Sequence, residues 1–377
     1  MEAGAAFAAA ARRTTRMPPK IGSIPYQPAL ADLSPVVTIY GTQNVIKDQN
    51  TSACTIDAVI TWVNGNTDAH RQKRALYMAQ SDRALHENAI NPHRWANNDE
   101  ILYCLQSIEN FAPWTRHIWI VVDDETPNLS SLSAAMRAKI RFMFHAEIFA
   151  EYSAVLPTFN SLAIETMLWR IDGLSDRFLY FNDDVFLTAP LHPRDVFDGQ
   201  RPVLRGDWVD YSQMLHDVDM QQDPSKFNHF MQINAATIAG FKADRLFSSA
   251  HVVHPLCRKV MADLFERHAD AFVDNIKYRF RDLNQFLPQG LHNHACIAAN
   301  AAVLHTAEDH IHIQSGCGIG RPSTETWSVL DAVSAPHIKF LCVNDLPQLE
   351  AVIPEARTWL QGVIGGFPGL APEHVSR

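Results

Sequence analysis

The segment Arg177-Phe178-Leu179-Tyr180-Phe181-Asn182-Asp183-Asp184-Val185-Phe186-Leu187 places two adjacent carboxylates between two apolar runs. The first run is short and rich in aromatic residues, which predicts a buried strand that ends at the polar triplet Asn182-Asp183-Asp184. Paired carboxylates at a strand end are hard oxygen ligands of the kind that Mg²⁺ or Mn²⁺ binds. The alternative is that the two aspartates only cap a turn, which is the common role of an Asp-Asp pair.

Three further strands are predicted before this segment, each separated from the next by polar or helical sequence. They cover 56–63, 117–122 and 139–144, and helical spacing is found from Thr67 to about Asn88, from Asn98 to Asn110 and from Thr158 to Arg170. Alternating strands and helices predict an α/β fold with a mostly parallel sheet flanked by helices. Ligands of such sheets bind at the carboxyl ends of the strands, where Asn64, Asp123, Asp124 and the triplet lie.

The second half of the chain is predicted to be more helical. Helices are expected over 256–268 and 291–304, short strands over 311–313 and 338–343, and a closing helix from Leu346 to Ile364 that Pro354 interrupts. We therefore predict one catalytic domain over 51–364 with a helical subregion at about 244–305. Irregular tails are predicted over 1–50, where several prolines interrupt any pattern, and over 365–377.

Composition excludes several classes of protein. A net charge of -9 without clustered Lys and Arg argues against nucleic-acid binding. The six cysteines are scattered and form no CxxC pair, which indicates a reducing cytosol. The sequence shows neither an export signal nor a membrane-spanning apolar run, so we predict a cytoplasmic protein whose association with any membrane is peripheral. Walker, GxGxxG and GxSxG motifs are absent from the sequence.

A second group of candidate residues contains His251, His254 and Arg281. An imidazole accepts the proton of an attacking hydroxyl, and a guanidinium holds two phosphate oxygens in its planar fork. The alternative is that the histidines cap a helix or lie satisfied in the core.

Several other polar or aromatic residues each have two possible roles. Asp345 follows a predicted strand, where it either reaches a metal or caps the last helix. Trp62 and Asn64 end the first strand, where they either bind a nucleobase or belong to the core. The pairs His292/His294 and His310/His312 lack a nearby Cys or acidic residue at a familiar ligand spacing, so a zinc site around them is not predicted.

Four separated blocks of the sequence resemble the Stealth family, which includes bacterial capsule polysaccharide phosphotransferases and an animal N-acetylglucosamine-1-phosphotransferase. The first block is 56–65. The second and longest runs from Asn98-Asp99-Glu100 through Ala112-Pro113-Trp114 and Leu156-Pro157-Thr158 to the Asn182-Asp183-Asp184 triplet. The third covers 250–258 with the later Arg281, and its proline is displaced, so either His251 or His254 matches the active imidazole. The fourth is Lys339-Phe340-Leu341-Cys342-Val343-Asn344-Asp345.

The resemblance implies transfer of a sugar-1-phosphate from a UDP-sugar to a glycan hydroxyl, with release of UMP, in polysaccharide or capsule synthesis. It also implies a sheet related to that of GT-A glycosyltransferases, and a peripheral place in a membrane polysaccharide-assembly complex. Mg²⁺ or Mn²⁺ would be held by Asp183, Asp184 and Asp345, and the catalytic residues would be Asp184, His251 or His254, and Arg281. The implied substrate-binding residues are Trp62, Asn64, Gly65, Asn160, Asn182 and Asn234.

Two other functions remain open on the sequence alone. A metal-dependent glycosyltransferase would use the same aspartates but release UDP, and a catalytically silent carbohydrate-binding protein would need no metal.

Overall fold

A computed structural model describes residues 55–82, 84–306 and 308–367, which lie in one compact unit. The described strands are β1 (Ile56–Thr61), β2 (Ile118–Val122), β3 (Ile140–Phe144), β4 (Arg177–Asn182), β5 (Val185–Leu187), β6 (Phe197–Asp198), β7 (Arg201–Val209), β8 (Leu246–Ser249), β9 (His254–Cys257), β10 (Val303–His305), β11 (His310–Ile313) and β12 (Phe340–Val343).

The described α-helices are α1 (Asp68–Ala79), α2 (Glu87–Ile90), α3 (Glu100–Phe111), α4 (Ala134–Lys139), α5 (His145–Ile148), α6 (Ser161–Met167), α7 (Pro193–Val196), α8 (Val218–Gln222), α9 (Phe227–Ile238), α10 (Arg258–Arg267), α11 (Ala269–Ile276), α12 (Pro288–Ala298), α13 (Ser323–Val333), α14 (Leu346–Val352) and α15 (Ala356–Val363). Short 3-10 helices cover Pro92–Trp95, Ala150–Val155, Leu168–Arg170, Ser212–His216 and Pro224–Lys226.

The central sheet has five strands in the order β3-β2-β1-β4-β9. The first four are parallel, and β9 runs antiparallel to β4. Successive side chains of β1 alternate between two cores: Ala58 and Ile60 face a core that includes Leu105 of α3, whereas Val59 faces one that includes Met167 of α6. Both faces of β1 are therefore covered by helices, which explains its continuous apolar sequence.

Two smaller sheets accompany the central sheet. One has the order β11-β12-β5, with β11 parallel and β5 antiparallel to β12. The other has the order β10-β7-β6, and β8 also pairs with β7. Because β5 follows β4 after only two residues, Asp183 and Asp184 form the junction between the central sheet and the β11-β12-β5 sheet.

The predicted α/β class with a mostly parallel sheet is confirmed, and each of the four strands predicted in the first half is found. Four details differ. The first helix ends at Ala79 instead of continuing to about Asn88, and the predicted helical subregion at about 244–305 begins with strands β8 and β9. The helix predicted over 291–304 ends at Ala298, and strand β10 follows it. The nine-residue strand β7 was not predicted, because Pro202, Gly206 and its charged residues obscure the apolar pattern.

The predicted tails lie mostly outside the described residues. Of the C-terminal segment, 365–367 are described, and these pack on α3: the Gly366 carbonyl accepts a hydrogen bond from Asn110 Nδ2 at 2.9 Å, and Phe367 meets Tyr103 edge to face. In the part of the chain that the structure covers, no helix has the length and apolar character needed to cross a membrane.

Candidate active site

Asp183 and Asp184, the acid pair at the end of β4, have few contacts that would stabilise their charged form. Burial, followed by the neighbouring Asp184 and Glu100, raises the pKa of Asp183 well above its ordinary value. Burial and Glu100 raise the pKa of Asp184 to about 7. Asp184 Oδ1 is buried and has no hydrogen-bond partner among the described residues. Three carboxyl groups thus lie near one another, and a carboxylate oxygen without a hydrogen-bond partner fits a divalent cation.

Asp345 has one role that the structure shows directly. Its carboxylate accepts a hydrogen bond from the Gln348 backbone N–H at 3.2 Å and caps α14. The capping alternative is therefore confirmed, and a share in holding a metal stays a prediction.

His251 lies against the triplet, in the loop between β8 and β9. Its Nε2 is 3.4 Å from Asn182 Nδ2, and its ring centroid is 5.0 Å from that of His312. Burial, followed by His312 and His254, lowers the pKa of His251 to about 3. The ring is therefore neutral at physiological pH, so a nitrogen lone pair is available to take a proton or bind a cation.

His254 begins β9, directly after the loop that carries His251, and pairs with Tyr180 of β4. Its ring stacks on Tyr180 with centroids 6.4 Å apart, and burial lowers its pKa to about 4. The described contacts of His254 do not include the triplet, which favours His251 as the active imidazole.

Arg281 approaches the acid pair from the loop after α11. Its Nη2 donates to Ser161 Oγ at 2.6 Å, and its Nη1 lies 3.4 Å from Asn228 Oδ1. Burial lowers the pKa of Arg281, and the carboxylates of Glu165 and Asp184 oppose that shift. Its hydrogen-bond partners are neutral groups, so the guanidinium can still meet an anion.

Arg94 is a functional candidate that the sequence did not reveal. It lies in the 3-10 helix Pro92–Trp95 and donates to the backbone and side-chain oxygens of Asn88. Burial and the nearby Arg281 guanidinium hold its pKa well below the ordinary value, and Asp184 opposes them. Among the described residues neither Arg94 nor Arg281 forms an ion pair. Two partly buried like charges that repel each other fit an anion site, because a bound phosphate would relieve their repulsion.

Glu165 was missed as well. It is buried on α6, accepts a hydrogen bond from Gln289 Nε2 at 2.6 Å, and is close enough to influence Arg281. The sequence did contain a signal for Glu165, because helical spacing places this carboxylate on the face of α6 that points to the core.

Asn160 and Asn234 form hydrogen bonds to the segment that carries Arg281, and their implied role in substrate binding stays a prediction. Asn160 Nδ2 donates to Tyr278 O and Gln285 Oε1, both at 2.8 Å, and its Oδ1 accepts from Leu162 N. Asn234 Nδ2 donates to Leu283 O and Gln285 O. These bonds use both ends of the Asn160 amide and the Nδ2 group of Asn234, and they tie both residues to the segment 278–285. Asn160 and Asn234 therefore help to position Arg281, which lies in that segment.

Trp62, Asn64 and Gly65 follow the carboxyl end of β1, and the first two line a small cavity of about 90 Å³. Trp62 is buried and its Nε1 donates to Asn97 Oδ1 at 3.4 Å, while Asn64 Nδ2 reaches Glu125. The cavity is lined by Trp62, Val63, Asn64, Ala69, His70, Lys73, Asp123, Asp124 and Glu125. Trp62 and Asn64 thus line a concave site, and their contact with a nucleobase stays a prediction.

Gly65 is required by the close approach of the chain to Trp95. A Cβ at this position would lie 2.2 Å from the Trp95 carbonyl oxygen. We expect Gly65→Ala to lower the free energy of unfolding by about 1–3 kcal/mol, measured by urea denaturation. Gly362→Ala, within α15 and with nothing within 4 Å of the added Cβ, should be neutral or slightly stabilising. Equal stability of the two variants would contradict this role.

The histidine pair His292/His294 is structural, as the sequence indicated. His292 Nε2 accepts from Cys257 N, and His294 Nε2 accepts from Phe247 N, both at 3.0 Å. His312 is different, because it lies with His251 and Cys342 next to the acid pair.

Comparisons of the sequence with known proteins show the family of this chain. The sequence profile described as Stealth protein CR2, conserved region 2, matches residues 94–203. An exopolysaccharide phosphotransferase of Lactiplantibacillus plantarum is 30% identical over 252 residues, covering 61% of this chain and 72% of the relative. The chain belongs to the Stealth family. The matched Stealth region contains Arg94, Glu165 and the acid pair, whereas His251 and Arg281 lie beyond it.

Other relatives of this Stealth protein match more closely over a shorter length. An exopolysaccharide phosphotransferase of Streptomyces coelicolor is 44% identical over 142 residues, which cover 38% of this chain and 23% of that protein. A capsular polysaccharide phosphotransferase of Neisseria meningitidis serogroup B is 40% identical over 147 residues, 38% of each chain. The chain thus spans well under half the length of these two curated relatives.

Solved structures give a more distant likeness. The galactosyltransferase LgtC, in complex with donor and acceptor sugar analogs, is 13% identical with a TM-score of 0.44, covering 84% of this chain and 98% of that chain. Mouse xyloside xylosyltransferase 1 is 12% identical with a TM-score of 0.37, covering 77% and 98%.

Proposed function

We propose that this Stealth protein transfers a sugar-1-phosphate from a UDP-sugar to a hydroxyl of a glycan acceptor, and that it releases UMP. The observation that carries the proposal is the convergence of Arg94 and Arg281 beside Asp184 and His251. Two partly buried guanidinium groups suit a diphosphate, and a neutral imidazole suits an attacking hydroxyl. The phosphotransferase names of the capsular and exopolysaccharide relatives support the same reaction class.

In this reaction the acceptor oxygen forms a bond to the phosphorus that carries the sugar. The bond from that phosphorus to the bridging oxygen breaks, UMP leaves with the bridging oxygen, and the anomeric carbon–oxygen bond stays intact. Charge spreads over the transferred phosphoryl oxygens in the transition state. Arg281 and Arg94 would bind those oxygens, and Glu165 would hold Arg281 in place.

Asp183 and Asp184 are the residues that would hold Mg²⁺ or Mn²⁺, and the orphaned Asp184 Oδ1 and the crowded carboxylates fit such an ion. The bound ion would neutralise charge on the diphosphate. His251 would accept the proton of the acceptor hydroxyl, and Asp184 is the alternative acceptor. The cavity beside Trp62 and Asn64 would take the nucleobase. The proposal includes a cytoplasmic location, peripheral to a membrane polysaccharide-assembly complex.

The deciding experiment incubates the chain with a panel of UDP-sugars, Mg²⁺ and oligosaccharide acceptors, and measures UMP and UDP separately. UMP release that EDTA abolishes and Mg²⁺ restores is the expected result. UDP release would instead indicate a glycosyltransferase. Sugar binding without release of either nucleotide would indicate a carbohydrate-binding protein.

Replacing Arg281 tests the anion site. We expect Arg281→Gln to lower kcat/KM by about 10²–10³-fold, because one donor to the transferred phosphoryl group is lost. The matched control is Arg267→Gln, at the exposed end of α10, which should keep the parental rate. Similar rates for the two variants would remove Arg281 from the reaction.

A further inference from the structure

The strands β11 and β12 bring a histidine and a cysteine side by side next to the acid pair. In their parallel register, His312 is the partner of Cys342. The loop between β8 and β9 places His251 over the same point. One potential ligand atom from each of the three residues lies within 4.8 Å of the other two.

These side chains have few other partners. His312 Nε2 is buried and has no hydrogen-bond partner among the described residues. Cys342 is completely buried and its Sγ donates to Asn344 Oδ1 at 3.3 Å. The thiol also contacts the carboxylate of Asp184, whose Oδ1 is orphaned. Two imidazoles and one thiol therefore lie close together, and the Asp184 carboxylate contacts this trio through Cys342.

Two nitrogens and one sulfur are the ligands of a soft or borderline cation, and Mg²⁺ does not select them. In a tetrahedral Zn²⁺ site with bonds of about 2.0–2.3 Å, neighbouring ligand atoms lie roughly 3.3–3.6 Å apart. The observed separations, up to 4.8 Å, exceed this range, so binding an ion would draw the three side chains closer together. Asn344 next to Cys342 and Asn182 next to His251 would orient the ligands, as outer contacts do in metal sites.

We propose that His251, His312 and Cys342 bind one cation of the Zn²⁺ class, with Asp184 as the fourth ligand. This site is distinct in its chemistry from the carboxylate site for Mg²⁺ or Mn²⁺. On binding, the Cys342 thiol gives its proton to solvent and a metal–thiolate bond forms. Because the cation occupies His251 and Asp184, it inhibits the transfer. Only this inhibition rests on the proposed function.

Co²⁺ is the spectroscopic probe for the site, used with the full chain in the presence of excess Mg²⁺. We expect one equivalent to produce thiolate-to-cobalt charge-transfer absorption and the intense visible bands of a tetrahedral ion, both displaced by Zn²⁺. Cys342→Ser should lose the charge-transfer band, and His312→Gln should weaken the visible bands. The matched control is Cys104→Ser, because Cys104 is also buried and lies near the same aspartates but outside the trio.

Absence of these bands in the parental chain would overturn the proposal, as would their persistence in Cys342→Ser or their equal loss in Cys104→Ser. Circular dichroism of each variant establishes that the fold is kept, and Zn²⁺ should raise the Tm of the parental chain and of Cys104→Ser only.

Inhibition is measured as UMP release in millimolar Mg²⁺ with added micromolar Zn²⁺. We expect inhibition of the parental chain and its loss in Cys342→Ser, each relative to the rate of that protein without Zn²⁺. Equal inhibition of both proteins would overturn the inhibitory role. A chain that shows the cobalt bands but releases no UMP under any condition would keep the metal site and contradict the proposed function.

Discussion

Asp184→Asn is expected to lower the transfer rate by at least about a thousand-fold, which corresponds to about 4 kcal/mol of activation free energy. The amide has nearly the same shape as the carboxylate, but it lacks the charge that holds a divalent cation and cannot accept the hydroxyl proton as a base. The measurement is UMP release under saturating UDP-sugar and Mg²⁺.

The fold should survive this substitution. Asp184 Oδ1 has no described hydrogen-bond partner to lose, and removing the charge relieves the repulsion that raises the pKa values of Asp183 and Asp184. The Tm should therefore stay the same or rise. Asp198→Asn, an identical change at an exposed ion pair with Arg201, is the control and should keep full activity. A fully active Asp184→Asn protein would exclude the acid pair from the reaction.

The central sheet could be predicted from the sequence because β1, β2 and β4 are buried on both faces. Such strands need continuous apolar residues, and the chain alternates them with helices of clear spacing. The polar residues that end β1 and β4 were predictable for the same reason, since parallel strands present their carboxyl ends at one edge. Strand β7 was not predictable, because its charged and glycine residues match no simple period.

The rest of the site depends on contacts between distant parts of the chain. Arg94 precedes α3 by several residues, and nothing local distinguishes it from an exposed arginine. Cys342 and His312 become neighbours only through the pairing of β11 with β12. Asn160 and Asn234 are a further example, because the sequence could not show that their amide groups form hydrogen bonds to the segment that carries Arg281. Spacing along the chain cannot encode these tertiary contacts.

Asp57 has no role in the site, yet its replacement is expected to have the largest effect on stability. Its carboxylate is completely buried in β1 and accepts from Arg116 Nε and Nη2 at 2.8 and 2.6 Å. It also accepts from the backbone N–H of Ser175 and from Trp119 Nε1. These bonds tie β1 to the segments before β2 and β4.

Asp57→Asn should lower the free energy of unfolding by about 3–5 kcal/mol, because one partner of a buried ion pair loses its charge. The NH₂ group of the new amide would also face N–H donors, where the carboxylate oxygen accepted hydrogen bonds. Urea denaturation at pH 7 measures the effect. Asp263→Asn, which breaks a surface pair with Lys259, is the control and should change stability by no more than about 0.5 kcal/mol. A similar small effect at Asp57 would contradict its structural role.

The stabilising effect of Asp57 should also depend on pH in a defined direction. Burial opposes ionisation of this group, but hydrogen bonds from Arg116, Ser175 and Trp119 outweigh it and hold the pKa below the ordinary value of 3.8. A carboxylate with a lowered folded-state pKa stabilises fully above its unfolded pKa, and that contribution is lost as the pH falls through the folded value. The difference in unfolding free energy between the parental chain and Asp57→Asn should therefore be constant near neutral pH and shrink below about pH 4. A difference that grew on acidification would mean that the carboxyl group is protonated in the folded protein.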